Sequence, residues 1–348
     1  MRRVLTLSLY VIFVAALCWI CFIHPVSGDF DRYIYEALVR ARYQDVRKIY
    51  PIVKHESPRA EASSVLDSPE HLGQLEPLYA IRPLYLEMIE AVAERGVPIQ
   101  RAINFVSVLS LFGIGMGLLG WTGRPLYCAL LMATPAISGL GRIGTPDALS
   151  SLLLLTSTWA LVRGGTFPGV LLLLVSIWSR TDNILFVILI LAWLAGTRKL
   201  SLLQAAVLSL IGVASVVVIN HFSGNYGWSV LLRYSFIGGR FPAEIPAHVS
   251  LRDYIMVLGR GVEGIGGQEL ALWTLLGVAA WRWLPKALPS RQVLVPIAMA
   301  AIARFLLFPT AEDRYFAWAY LIAGACFVEA IGNSPYFPRI SLRSGSSR

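Results

Sequence analysis

The sequence predicts an all-α fold, a polytopic membrane helix bundle of about ten transmembrane helices. Three observations carry this. Hydrophobic residues make up 56% of the 348 and charged residues only 15%, against roughly 25% charged in soluble domains. The mean hydropathy is strongly positive, at +0.63. The missing charge is concentrated in long apolar runs, and a bilayer core needs about 20 apolar residues per helical span.

In chain order the runs fall at roughly 4–23, 102–120, 125–141, 147–162, 167–179, 184–197, 201–221, 268–284, 292–309 and 315–331. The first follows Met1-Arg2-Arg3, and Val26-Ser27-Gly28 resembles a cleavage site. Its apolar stretch exceeds the 7–15 residues or so of a signal-peptide core, so it reads as a retained span. The whole chain, 1–348, reads as a single integral membrane domain.

With ten spans both termini share one side. That side carries Arg2, Arg3, Arg124, Arg163, Arg198, Lys199, Arg282, Lys286, Arg291, Arg339, Arg343 and Arg348, with almost no acidic residue. Basic loops stay cytoplasmic, which predicts cytoplasmic termini in a cell (inner) membrane. The net charge of +9 therefore reads as a topology signal, not a nucleic-acid stripe. Cys18, Cys21, Cys128 and Cys326 all lie in apolar runs and read as small core hydrophobes. No Asn-x-Ser/Thr acceptor is present.

Two large outer loops are expected, at about 24–101 and about 222–267. The first holds two amphipathic patterns. One is Asp31–Tyr50, with Tyr33, Ile34, Ala37, Leu38, Ala41 and Val46 at helical spacing; the other spans about 78–95. Both read as surface helices, separated by a polar loop at Ser57–Glu76. No internal repeat is evident, which disfavours transporters built from inverted halves.

The polar residues gather at the outer ends of spans. They are Asp29 and Asp31, Arg142 to Asp147, Ser179 to Asn183 with Arg180 and Asp182, Asn220-His221, and Glu312-Asp313-Arg314-Tyr315. Each has an ordinary reading. Asp29 or Asp31 suits a helix cap, Pro146-Asp147 a helix start, Arg180 with Asp182 an interfacial pair, and His221 a packed histidine. Arg304 lies deeper, inside the ninth run, where a charge costs roughly 2.5–3.5 kcal/mol and usually faces a cavity or partner. Jointly, carboxylates and arginines converge from separated spans on one face. An enzyme acting on a phospholipid substrate needs that set, carboxylates to move protons and guanidinium forks to hold phosphate.

On these residues the chain resembles the GT-C superfamily, polytopic glycosyltransferases that use polyprenyl- or dolichyl-phosphate sugars. The likeness rests on Asp29-Phe30-Asp31 and Tyr33 directly after the first span, and on a long first loop with surface helices. Thr145–Leu149 opening a later span and Arg314-Tyr315 opening the last complete it. The resemblance implies a first-loop catalytic base, Asp29 or Asp31, and lipid-phosphate contacts from Arg314 and Arg304. The remaining polar residues, Tyr315, Asp313, Arg142, Asp147, Arg180, Asp182 and His221, are expected to bind substrate. It implies inverting transfer of a sugar, of the hexosyl or mannosyl type, to the hydroxyl of a glycan, lipid or protein at the non-cytoplasmic face. No cofactor or metal is expected, because a single donor phosphate needs no chelated cation, and no nucleic acid is an expected partner. Unlike many members, the chain lacks a large C-terminal outer domain. A transporter of lipid-linked sugars would place its charges at the midplane of the spans, and a non-catalytic assembly subunit would need no such convergence.

Overall fold

The computed structural model describes residues 2–26, 31–42, 44–56, 67–239, 241–267 and 269–333, and among these it is helical with no strand. Among the described residues four helices are long and apolar enough to cross a membrane: Val4–Ile23, Ile99–Thr122, Leu202–Phe222 and Pro289–Leu307. Shorter apolar helices lie at Asp147–Val162, Thr166–Ser179, Thr181–Gly196 and Ala317–Gly332.

The chain opens with α1 (Arg2–Ile23). Among the described residues of the 24–101 segment four helices follow: α2 (Asp31–Ala41), α3 (Val46–Glu56), α4 (Pro69–Tyr79) and α5 (Pro83–Ala93). Where the sequence pattern suggested two surface helices, the described residues form four. The first pattern breaks because Asp45 restarts the helix, its side chain accepting from the Arg47 N–H at 2.9 Å and its carbonyl from Lys48 and Ile49. The polar loop expected up to Glu76 gives way to α4. There Ser68 accepts from the His71 N–H at 3.0 Å and Pro69 occupies the first turn, the preferred entry chemistry for a helix.

These helices do not leave their apolar faces outward. Ile34 and Ala37 of α2, Ile49 and Val53 of α3, and Leu72, Leu75 and Leu78 of α4 form one core. On the other side, Tyr35 and Val39 pack with Tyr85, Leu86 and Ile89 of α5 and with Ile103 and Val106 of α6 (Ile99–Thr122). Polar ties fix the docking. Arg32 donates to Gln100 Oε1 at 2.9 Å and Asn104 Oδ1 at 3.0 Å. Gln100 in turn donates to the buried Glu36 carboxylate at 2.5 Å.

One carboxylate in this cap is poorly hosted. Glu76 Oε1 is buried without a hydrogen-bond partner among the described residues. Burial pushes its carboxyl up to about 7. A folded-state value above the unfolded one, about 4.3, means its contribution is complete below about pH 4.3 and lost as pH rises through about 7. The melting midpoint should therefore fall across that window in the parent and stay flatter in Glu76→Gln. Equal slopes in the two proteins would remove Glu76 as the cause.

After α6, which closes on Gly123 in the left-handed region (φ 63°), the third apolar run is not one helix. It is α7 (Pro125–Met132), α8 (Pro135–Ser138) and a 3-10 turn. Pro135 forces the break by driving Thr134 into extended backbone, φ −65° and ψ 143°. Next come α9 (Asp147–Val162), α10 (Thr166–Ser179), α11 (Ile184–Gly196) and α12 (Leu202–Phe222). The α9–α10 pair approaches closely at Gly169, where a Cβ would fall 2.5 Å from Leu161 and the Ser157 hydroxyl donates to its carbonyl at 2.8 Å.

The 222–267 segment carries α13 (Trp228–Phe236) and α14 (Leu251–Gly264). The bundle ends with α15 (Leu270–Trp283), α16 (Pro289–Gln292), α17 (Leu294–Leu307) and α18 (Ala317–Asn333). The last carbonyls of a helix have no partner within it. On α17, Trp228 and Tyr254 supply them, donating to Leu307 and Leu306 at 2.6 Å each. The central core runs through α6, α9, α10, α11, α17 and α18.

Candidate functional site

The site is built from turns between helices. At the end of α10, Arg180 turns extended (φ −153°, ψ 119°) and a 3-10 turn, Thr181–Asn183, follows. This reversal faces Arg180 toward Asp182. Its Nε and Nη2 donate to the two carboxylate oxygens at 3.0 and 2.9 Å, a bidentate pair. Arg180 Nη1 donates to Asp147 at the start of α9, whose second oxygen accepts from the Thr145 hydroxyl at 2.5 Å. Asn183 anchors the turn through Ser150 and the Ser176 carbonyl.

Arg304, on α17, joins from the opposite side. Its Nε lies 2.6 Å from Asp182 Oδ2. The N–H is not aimed along that line and makes no hydrogen bond, so the contact is an ion pair without an aligned hydrogen bond. Burial alone would raise the Asp182 carboxyl, but the guanidiniums of Arg180 and Arg304 outweigh it and hold it well below the ordinary range.

The 3-10 turn Asp313–Tyr315 supplies the next wall. Arg314 donates to Glu312 at 2.7 Å and to the Tyr315 hydroxyl at 3.2 Å, and reaches Asp31 at 3.4 Å. Asp31 also accepts from the Tyr79 hydroxyl at 2.6 Å. Burial, reinforced by Asp31, pushes the Tyr79 phenol well above its usual range, so it remains a donor. The Tyr315 ring is ringed by cations, with the guanidiniums of Arg304 and Arg314 each 4.9 Å and of Arg180 5.0 Å from its centroid.

Asp31, Tyr79, Arg180, Asp182, Arg304, Glu312, Arg314 and Tyr315 line one cavity of about 520 Å³, with Arg82, Trp228, Leu231, Tyr234 and Phe308 completing its wall. It presents guanidiniums and carboxylates beside aromatic rings, which suits an anionic head joined to a less polar body. Among the described residues, no group of three or more His, Cys, Asp or Glu is placed to hold a metal.

Of the residues singled out in sequence, Asp31, Asp147, Arg180, Asp182, Arg304, Arg314 and Tyr315 come together around this cavity or in its wall. Asp29 lies outside the described residues. Three others lie apart from it. Asp313 turns away to accept from the Glu269 N–H at 3.1 Å and the Tyr320 hydroxyl at 2.9 Å, and burial raises its carboxyl. Arg142 is exposed and donates to the His24 carbonyl at 2.9 Å, away from the cavity. His221 is exposed at the end of α12, edge-on to Phe222. Sequence reasoning missed Tyr79 and Arg82. The available signal was an arginine directly before Pro83, at a helix start between two tyrosines.

Comparison with family models, with curated proteins and with solved structures finds no match to this chain.

Proposed function

We propose that this chain is a membrane glycosyltransferase that takes a sugar from a polyprenyl-phosphate donor and passes it to an acceptor hydroxyl. The observation that carries the reading is the cavity where Arg82, Arg180, Arg304 and Arg314 meet Asp31, Asp182 and Glu312. The acceptor oxygen attacks the anomeric carbon as the carbon–oxygen bond to phosphate breaks. The bonding pair leaves on the phosphate oxygen, whose charge arginines stabilise. The acceptor proton passes to a carboxylate of the Asp29–Asp31 pair. An apolar groove of about 390 Å³ between α15, α17 and α18, lined by Trp273, Trp281, Ile302, Phe316 and others, matches the chemistry of a prenyl chain. On this reading the ten apolar runs are spans, the third of them broken at Pro135, and the 24–101 and 222–267 segments face outward, which the distribution of basic loops supports.

Purified protein incubated with a panel of radiolabelled polyprenyl-phosphate sugars should consume at least one donor and release polyprenyl phosphate. No consumption across the panel would sink the reading. Reporter fusions after Arg198 and Arg291 should read cytoplasmic, and fusions near His55 and His248 external. An external Arg198 would place the cavity on the wrong face for a lipid donor at the outer surface.

A further inference from the structure

We infer that α14 is a membrane-surface helix whose apolar stripe, Leu251, Ile255, Leu258 and Val262, is immersed among lipid chains beside the end of α17. The inference rests on reading α17 as a membrane span and is independent of the sugar-transfer reaction.

The helix starts on a reciprocal cap. The Ser250 hydroxyl accepts from the Asp253 N–H at 3.1 Å, and the Asp253 carboxylate accepts from the Ser250 N–H at 3.4 Å. Its apolar residues then fall on two adjacent faces. Tyr254, Val257 and Gly261, three and four residues apart, form the face that meets the protein. The Tyr254 hydroxyl donates to the Leu306 carbonyl at 2.6 Å, and Val257 is buried. At Gly261 a Cβ would fall 2.8 Å from the Pro309 carbonyl oxygen, so the helix lies directly on the chain leaving α17.

Leu251, Ile255, Leu258 and Val262, also three and four apart, form the second face. This face has no cover among the described residues. Leu251 is 76% exposed, Ile255 58% and Val262 54%, with Leu258 half-buried between them. The remaining arc carries Arg252, Asp253, Arg260 and Glu263, with Met256 among them. A helix with one apolar face on protein and a second one open, opposite a charged arc, has the pattern of a helix lying in a membrane surface.

The surroundings identify the cover as lipid. α17 ends an apolar stretch, Pro289–Leu307, long enough to cross a membrane, and exposes Met299, Ile302 and Leu306 along it. α12, another helix of that length, ends at Phe222, which is 83% exposed. Six residues later Trp228, also exposed, donates its Nε1 hydrogen to the Leu307 carbonyl at 2.6 Å. A short link therefore joins the ends of two apolar helices, and tryptophan marks it, the residue enriched where spans meet headgroups. The charges of α14 balance, Arg252 and Arg260 against Asp253 and Glu263. Burial of apolar surface drives the contact, and no anionic headgroup is needed.

α14 also braces a wall of the cavity. Arg260 donates to the Phe236 carbonyl at 3.2 Å, and Arg233 of α13 donates to the His248 carbonyl at 2.8 Å. Trp228, Leu231, Tyr234 and Phe236 of α13 line that cavity. With α14 in lipid, this wall stands at headgroup depth, and a ligand carrying a lipid tail reaches it from within the membrane.

The test is nitroxide accessibility in the purified full chain, one copy per phosphatidylcholine nanodisc. Leu251→Cys, Ile255→Cys and Val262→Cys carry the label on the stripe, and Arg252→Cys and Glu263→Cys on the charged arc. The parent, whose cysteines are buried, is the labelling control. On the stripe oxygen should relax the label more than a water-soluble nickel chelate does, and on the charged arc the order should reverse. The nickel chelate ahead at every position would place the stripe in water, and exclusion of both reagents from the stripe would place protein against it; either result overturns the inference. A melting midpoint equal to the parent's keeps each variant interpretable. Ile255→p-benzoylphenylalanine repeats the measurement without cysteine. Irradiation should give a phospholipid adduct, and its absence overturns the inference. Sugar transfer by a protein with a water-exposed stripe would remove this inference and keep the glycosyltransferase reading; a lipid-immersed stripe in a protein without transfer would do the reverse.

Discussion

Replacing Asp182 by asparagine is expected to cost up to about 3–5 kcal/mol of stability, the usual penalty for leaving a buried charge, here Arg304, without its partner. Asp182 neutralises two guanidiniums, Arg180 in a bidentate fork and Arg304 at 2.6 Å. Arg180 would keep Asp147. Among the described residues Arg304, 6% exposed, would keep the Phe308 carbonyl at 3.4 Å and the faces of the Phe308 and Tyr315 rings, but no carboxylate within an ion-pair distance. The thermal midpoint in detergent should drop sharply, and much of the loss should return in Asp182→Asn combined with Arg304→Met, which removes the stranded charge. A single variant that melts with the parent would show that the turn is not anchored through this carboxylate.

The second large effect is on turnover. Asp29→Asn is expected to cut sugar transfer by about 10²–10⁴-fold, the usual contribution of a general base, while farnesyl phosphate still binds. Asp31→Asn should cost less turnover and more stability. Both Asp31 oxygens are engaged in the folded protein, by Tyr79 at 2.6 Å and Arg314 at 3.4 Å. A carboxylate committed to a phenol and a guanidinium has less capacity to accept a substrate proton. Comparing single-turnover rates with melting midpoints separates the two roles. If Asp29→Asn turned over at the parent rate, Asp31 and then Asp147 would be the next residues to test.

Sequence reading recovered what depends on local pattern. The apolar runs 4–23, 102–120 and 201–221 fall on single long helices because nothing interrupts their hydropathy. It failed at 125–141, where hydropathy outweighed Pro135 in the reading while the backbone obeyed the proline. The convergence of Asp147, Arg180, Asp182 and Arg304 was legible because charges at span ends are costly without partners. The direction in which Asp313 faces was not. It depends on Glu269 and Tyr320, which carry no mark in sequence that they offer donors to it. Arg82 escaped because a lone arginine within an amphipathic pattern is unremarkable until the two rings that hold it, Tyr35 and Tyr79, are brought together by tertiary packing.

The Asp147–Arg180–Asp182–Arg304 cluster also dictates an order of biogenesis. Asp147 and Arg180 stand at the start of α9 and the end of α10, so they can pair as soon as those two helices have left the ribosome. Arg304 arrives more than a hundred residues later, on α17, and meets the carboxylate waiting at Asp182. Until then the Asp182 carboxylate has half of its final partners and the turn is incompletely locked. A nascent chain halted before α17 therefore carries a loosely held turn, which quality-control proteases should cut between α10 and α11 in preference to the completed bundle.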